Sequence, residues 1–327
     1  MNRGESEKGD DTLGLSSSWP ISKATPASSQ AKVDIAGATH RGHVRDSNED
    51  HYLAVRFQRS LETLCTNLEE KTLERNFDEI GYGLLVADGM GGMAAGEVAS
   101  QMALRKLVEL VVNTPDWIMK FNQVENKTKV MQRITQRFQQ VDDALKCQAQ
   151  RDSLLRGMGT TLTAAISLGR TLLIGHVGDS RAYVMRGNTL HQLTSDHTLA
   201  QALVDAGIAN PGDAATQALH HVLTSALGTS SEPTDPQVLS FRLSHNDRVM
   251  LCTDGLTEMV SAEIIASVLS EADSSRVACD SLIDLALSGG GIDNVTVMLA
   301  RYEFPDVSER QLESAESVKS YSRSRWL

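Results

Sequence analysis

Between Thr160 and Thr194 four short β-type runs follow one another with almost no chain between them: TTLTAAISL, TLLIGHVG, SRAYVMR and TLHQLT. Turn signals divide them at Gly169-Arg170, Asp179 and Gly187-Asn188. Joints this short cannot carry a crossover helix, so neighbouring strands must pair antiparallel. VLSFRL, RVMLCT and NVTVMLARYE add further strands towards the C-terminal end.

Helices come in pairs around this meander. In AAGEVASQMALRKLVELVVN, Ala99, Ala103, Leu107 and Val111 recur at helical spacing. In KVMQRITQRFQQVDDALKCQ the stripe is Val130, Ile134, Phe138, Val141 and Leu145. A turn containing Pro115 separates them, so the two are expected to lie antiparallel and cover a sheet. SAEIIASVLS and SRVACDSLIDLALS form the second pair. Many strands with helices in pairs most simply give an α+β protein: two antiparallel sheets stacked as a β-sandwich, with antiparallel helix pairs outside.

Three segments stand apart. Residues 1–32 are rich in Ser, Gly, Lys and acid without periodicity, and read as a disordered N-terminal arm. Residues 306–327 read as a flexible C-terminal tail. The patterned domain runs over 33–305. Inside it, 57–81 is charged and reads as a partly helical surface insertion, and 196–236 is irregular with short helical pieces.

Five strand ends carry acids. Asp88 follows GLLVA, Asp179 follows TLLIGHVG and Asp254 follows RVMLCT. Asp293 precedes NVTVMLA, and Glu49-Asp50 precede HYLAV. A lone Asp-Gly is usually turn chemistry. Five placed this way are different, because strands of a sandwich share their ends and the acids can converge. Converging carboxylates raise one another's pKa unless a cation lies between them. Carboxylate and carbonyl oxygens suit Mg²⁺ or Mn²⁺, and Gly89 has no side chain to block its carbonyl. Two such ions can share a water, lower its pKa and hold a phosphoryl group for in-line attack. Arg45 lies four and five residues before Glu49 and Asp50, and a guanidinium clamps phosphate oxygens bidentately.

The net charge of −11 argues against gripping nucleic acid. The four cysteines, Cys65, Cys147, Cys252 and Cys279, form no CxxC pair, which suits a reducing compartment. No apolar stretch approaches the ~18 residues of a membrane span, and the N-terminus shows no secretory pattern. The expectation is a cytoplasmic protein, not bound to membrane.

The motifs RDSNED (45–50), VADGMGG (86–92), GMGTTLTAA (157–165), GHVGDSRAY (175–183), LTSDHTL (193–199), LCTDGLTEMV (251–260) and GIDNVTVML (291–299) occur in this order. Together they resemble the metal-dependent protein phosphatases, the type 2C Ser/Thr phosphatases, and specifically their bacterial branch. The resemblance implies hydrolysis of phosphoserine and phosphothreonine in proteins with Mn²⁺ or Mg²⁺, reversing Ser/Thr kinase signalling. It implies that Asp88 bridges two catalytic ions, that Gly89 offers its carbonyl, and that Asp254 and Asp293 complete the pair. Asp50 and Glu49 lie close by, partly through water. Asp179 holds a third ion, Arg45 binds the substrate phosphate, and 196–236 is a mobile flap. Phosphoproteins, including a cognate kinase, are the implied partners of a monomeric enzyme. The alternative is a pseudo-phosphatase that binds phosphoproteins without turnover; the complete set of carboxylates argues for activity.

Two positions depart from the family's pattern. Met90 stands where some members have the histidine proposed as general acid, and a thioether has no proton to give. His40 and His43, near RDSNED, are candidate replacements. His40 also stands where many bacterial members carry an Asp.

Overall fold

The computed structural model describes residues 27–68, 76–91, 95–113, 124–210, 213, 216 and 218–305. All but a few residues of the expected arm, the whole expected tail and the Pro115 turn lie outside the described residues.

A short helix α1 (Ala27–Gln30) leads into β1 (Lys32–His40), β2 (Asp50–Glu62) and β3 (Asn76–Met90). Helices α2 (Ala95–Asn113) and α3 (Val124–Arg151) follow. The meander consists of β4 (Gly159–Thr160), β5 (Leu162–Leu168), β6 (Thr171–Val177), β7 (Arg181–Arg186) and β8 (Thr189–Gln192). After α4 (Leu199–Asp205) come β9 (Gln237–Arg242) and β10 (Arg248–Cys252). The chain closes with α5 (Asp254–Thr257), α6 (Ala262–Glu271), α7 (Ser275–Ser288) and β11 (Val295–Glu303).

Every strand pairing among the described residues is antiparallel. One sheet runs β1-β11-β10-β7-β8; the other runs β2-β3-β5-β6-β9, with β4 added beside β3. The sequence places β5 to β8 in a single meander, but the structure divides it. The chain leaves the second sheet after β6 and enters the first at β7, so the Asp179 turn joins the two layers.

The sandwich explains why GLLVA reads as an unbroken apolar run. Alternate side chains point to opposite faces of a strand. Leu84 and Val86 face the inter-sheet core with Ile174, Val249, Leu251 and Met298. Leu85 and Ala87 face the helices, against Ala99, Ala103, Leu107, Phe138, Val141 and Leu145. The opposite sheet packs Cys252, Val295 and Val297 against Ile265, Leu269, Cys279 and Leu282 of α6 and α7. A strand covered on both sides must be apolar on both sides. Each fully buried Leu, Val or Phe contributes about 1.5–3 kcal/mol of transfer free energy.

Two boundaries differ from the sequence reading. Lys32 already belongs to β1, and Ser28 is buried, so the packed chain begins inside the expected arm. The described ends of the segment 57–81 are strand where the sequence reading expects a partly helical insertion; residues 69–75 lie outside the described residues. Strands β2 and β3 stay in register from Asp50↔Asp88 out to Glu62↔Asn76, so Phe57–Glu62 and Asn76–Gly81 extend one long hairpin. Its covered face is held by polar and aromatic groups: Arg59 pairs with Glu79 and lies over the Phe77 ring. Charged residues thus occupy positions where a strand pattern expects apolar ones.

Candidate metal centre

The acids do converge. Asp88, Asp179, Asp254, Asp293 and Glu49 line one cleft of 800 Å³ together with Arg45, Gly89, Met90 and His221. Asp50 stands beside it, directly opposite Asp88 across the β2–β3 pair. Each acid is positioned by its element. Asp50 opens β2 and Asp88 lies near the end of β3. Asp179 occupies the β6–β7 turn, Asp254 begins α5, and Asp293 immediately precedes Asn294 and β11.

The backbone around Asp88 is pinned from the β4–β5 side. Its N–H donates to Thr161 Oγ1 (3.0 Å), and its carbonyl accepts from the Thr161 N–H (2.9 Å) and Thr160 Oγ1 (2.8 Å). Gly89 is fixed by crowding: a Cβ there would lie 2.1 Å from the carbonyl oxygen of Gly96, in the first turn of α2. The same turn meets Glu49, whose Oε2 would lie 2.3 Å from a Cβ at Gly96. Two glycines therefore let α2 press against the acid cluster.

Thr253, the N-cap of α5, organises the other side. Its hydroxyl accepts from the Thr296 N–H (3.0 Å) and donates to Asp50 Oδ2 (2.8 Å). Asp50 is thus offered a proton donor, which suits its ionised form. Its other oxygen, Oδ1, is buried without a hydrogen-bond partner, and so is Asp254 Oδ1. A buried carboxylate oxygen without a donor is costly.

Electrostatics add to that cost. Burial, then the charges of Asp50, Asp254, Asp179 and Asp293, push the Asp88 carboxyl well above the usual range. Burial pushes Asp50 up to about 7, offset by its threonine partners. Burial followed by the nearby Asp254 and Asp196 charges pushes Asp179 up to about 8. Asp254 is raised by burial and then by Asp293, and Glu49 is raised chiefly by burial. Several acids that resist ionising together, with two orphaned oxygens among them, fit divalent cations with oxygen ligands.

Arg45 sits at the exposed edge, where its Nη2 donates to Asp293 Oδ2 (2.6 Å). That contact is the main reason its pKa is raised.

The loop carrying Arg45 is fastened by a residue the sequence reading passed over. Asn294 donates from Nδ2 to the carbonyls of Arg41 and Ser47, both at 2.9 Å, and accepts the Glu49 N–H at 2.7 Å. The Asp-Asn pair before β11 was the available signal. Thr253 is a second such residue, legible in principle as a hydroxyl just before a short helix.

The histidines fall out differently from the sequence expectation. His40 accepts the Gly42 N–H and packs edge-on against His43, and neither lines the cleft. His221, from the irregular segment 196–236, does line it. Its Nδ1 lies 2.9 Å from Glu258 Oε1, and His221, Asp254 and Glu258 each present a ligating atom within 4.8 Å of the others.

A β-sandwich that gathers carboxylates in one cleft has the donor set that divalent cations prefer. Residues 75–281 match the family model described as Protein phosphatase 2C. Over 219 residues the chain is 39% identical to the serine/threonine protein phosphatase PstP of Mycobacterium tuberculosis, a match covering 66% of this chain and 40% of that protein. So the matched stretch spans less than half the length of that relative. The chain is 37% identical over 217 residues to the serine/threonine phosphatase stp of Listeria welshimeri, covering 66% of this chain and 82% of the relative. Among solved structures, it is similar to the PstP catalytic domain in complex with two manganese ions. That likeness has a TM-score of 0.64 at 33% identity, covering 84% of this chain and 99% of the other. The chain belongs to the protein phosphatase 2C family, the metal-dependent serine/threonine phosphatases, in its bacterial branch.

Proposed function

We propose that this chain hydrolyses phosphoserine and phosphothreonine esters in proteins, with two divalent ions, Mn²⁺ or Mg²⁺, at the acid cluster. The observation that carries this reading is the cleft itself: convergent carboxylates, with buried oxygens of Asp50 and Asp254 left without donors. The naming of its relatives as serine/threonine phosphatases and the two manganese ions in one related structure support it. A pseudo-phosphatase role is disfavoured, because each acid that the reading needs is present at the cleft or beside it.

In this reading Asp88, with Asp50 opposite it, and the Gly89 carbonyl would hold the two ions. Asp254 and Asp293 would complete the ligand set, Glu49 would support it from outside, and Asp179 would hold a third ion. When bound, such cations supply Lewis-acid chemistry, acidifying water and offsetting phosphate charge. The chain's own groups bind and orient the ester. Arg45 uses one hydrogen bond on Asp293, which leaves the rest of its fork for phosphate oxygens. His221 supplies the imidazole that Met90 lacks. Phosphoproteins, including a cognate Ser/Thr kinase, are the natural partners of such an enzyme, working as a cytoplasmic monomer in signal transduction. No helix among the described residues is long and apolar enough to cross a membrane.

Phosphate release from a phosphothreonine peptide, with Mn²⁺ and then with EDTA, tests the reading. Turnover should require the ion. Asp88→Asn should lower it by more than about 100-fold, since even outer-shell changes around bound metals cost 10–100-fold. Near-normal turnover by that variant would overturn the role of Asp88 as a metal ligand.

A further inference from the structure

A second cavity, of 540 Å³, adjoins the acid cleft, and Met90 and Leu223 line both. Its other walls come from the segment after Leu223, including Pro233, and its rim carries the exposed carboxylates of Glu232 and Asp235. Lys146 is already engaged: its Nζ donates to Asp142 Oδ2 (2.7 Å) and to the Glu232 carbonyl (3.0 Å). His197, which also lines the cavity, is disposed to stay neutral, because burial lowers its pKa. The cavity therefore combines apolar surface, from Met90, Leu223 and Pro233, with a net negative rim.

Such a combination suits one kind of side chain. Lysine and arginine lay their methylenes on apolar surface and carry their charge to its edge. An extended peptide advances about 3.3 Å per residue. With its phosphorylated residue in the acid cleft, neighbouring residues would pass over the shared wall.

We propose that this cavity is a substrate subsite that takes a Lys or Arg side chain within a few residues of the phosphorylated Ser or Thr. The methylenes pack on Met90 and Pro233, and the cation meets Glu232 and Asp235. The assignment rests on the phosphatase reading above and adds a sequence preference to it.

The full chain is assayed in Mn²⁺ on p-nitrophenyl phosphate and on phosphothreonine peptides that carry a single Lys or a single Glu at each position within three residues of the phosphate. The expected result is a higher kcat/KM for Lys than for Glu at one or more positions, by roughly fivefold, as exposed charge pairs give. The preference should shrink with added salt. The double variant Glu232→Lys/Asp235→Lys should erase or invert it while leaving p-nitrophenyl phosphate turnover unchanged. A preference that survives the double variant overturns the subsite. So does equal turnover of all peptides when p-nitrophenyl phosphate is hydrolysed normally. Failure to hydrolyse any substrate overturns the phosphatase reading, and the subsite with it.

Discussion

Asp50 and Asp88 face each other directly across the β2–β3 pair, at the end of a ladder that runs unbroken to Glu62↔Asn76. Like charges directly opposite destabilise a sheet. The ladder holds them together nonetheless, through Thr253 on Asp50 and Thr160 and Thr161 around the backbone of Asp88.

Folding stability without metal should therefore depend on pH. An aspartate in the unfolded chain titrates near 3.9, whereas folded Asp50 sits at about 7 and Asp179 at about 8. Between those values the folded state holds more protons than the unfolded one, so stability is full at the acid end and declines as pH rises. The EDTA-treated protein should melt at least about 4 °C lower at pH 8 than at pH 5. Mn²⁺ should raise the Tm more at pH 8, because ions bind deprotonated ligands. Asp88→Asn should flatten the metal-free profile. Thermal scans at the two pH values check this; an equal Tm at both would remove the repulsion argument.

Arg45 is tied to Asp293 and exposed to solvent. Arg45→Ala should cost about 1.5–3 kcal/mol in phosphate recognition, the range for a hydrogen bond to a charged group. That corresponds to a fall of roughly 10–150-fold in kcat/KM for a phosphopeptide. Calorimetric Mn²⁺ stoichiometry should not change. Lysine should restore only part of the loss, because a point charge cannot grip two oxygens in a fork. An unaltered KM would place Arg45 away from the phosphate.

The acids at strand ends were legible because each follows or precedes an apolar run, and a sandwich brings such ends together. The helix stripes were legible by period, and Phe138, Val141 and Leu145 are buried as expected. What stayed hidden depends on partners distant in sequence. Asn294 serves a loop some 250 positions earlier, and the Asp-Asn pair before β11 marks the residue without revealing which carbonyls it holds. The outer β2–β3 hairpin was misread because Arg59 and Glu79 satisfy each other on its covered face; only the pairing of the two strands reveals it. The division of the meander between two sheets at Asp179 has no local signature, since a turn within a sheet and one between sheets use the same residues.

Asn294 gives a test of the loop itself. Asn294→Ala removes donors to the Arg41 and Ser47 carbonyls and the acceptor for the Glu49 N–H. Each unsatisfied backbone group costs about 1–3 kcal/mol where it remains buried. Melting temperature should fall by several degrees, and KM for phosphopeptide should rise more than kcat falls, because Arg45 loses its anchorage. Asn294→Asp should behave much like Ala, since a carboxylate keeps the acceptor and lacks both donors. A wild-type KM in both variants would mean that the loop holds its shape unaided.

His221 is the imidazole of the cleft, lying against Glu258 with Met90 on the neighbouring wall. A serine or threonine alkoxide leaves poorly without a proton, whereas p-nitrophenolate leaves readily without one. If His221 delivers that proton, His221→Gln should slow a phosphothreonine peptide by about 100-fold, the lower range for general acid catalysis. It should slow p-nitrophenyl phosphate by less than about threefold. Glu258→Gln, which removes the group orienting the ring, should fall in the same direction by less. His40→Gln and His43→Gln should leave the ratio of the two substrates unchanged, since neither ring lines the cleft. Steady-state rates on both substrates at one pH decide the matter. Equal losses on the two would assign His221 to binding or to shape, and the proton would have to come from elsewhere in the cleft.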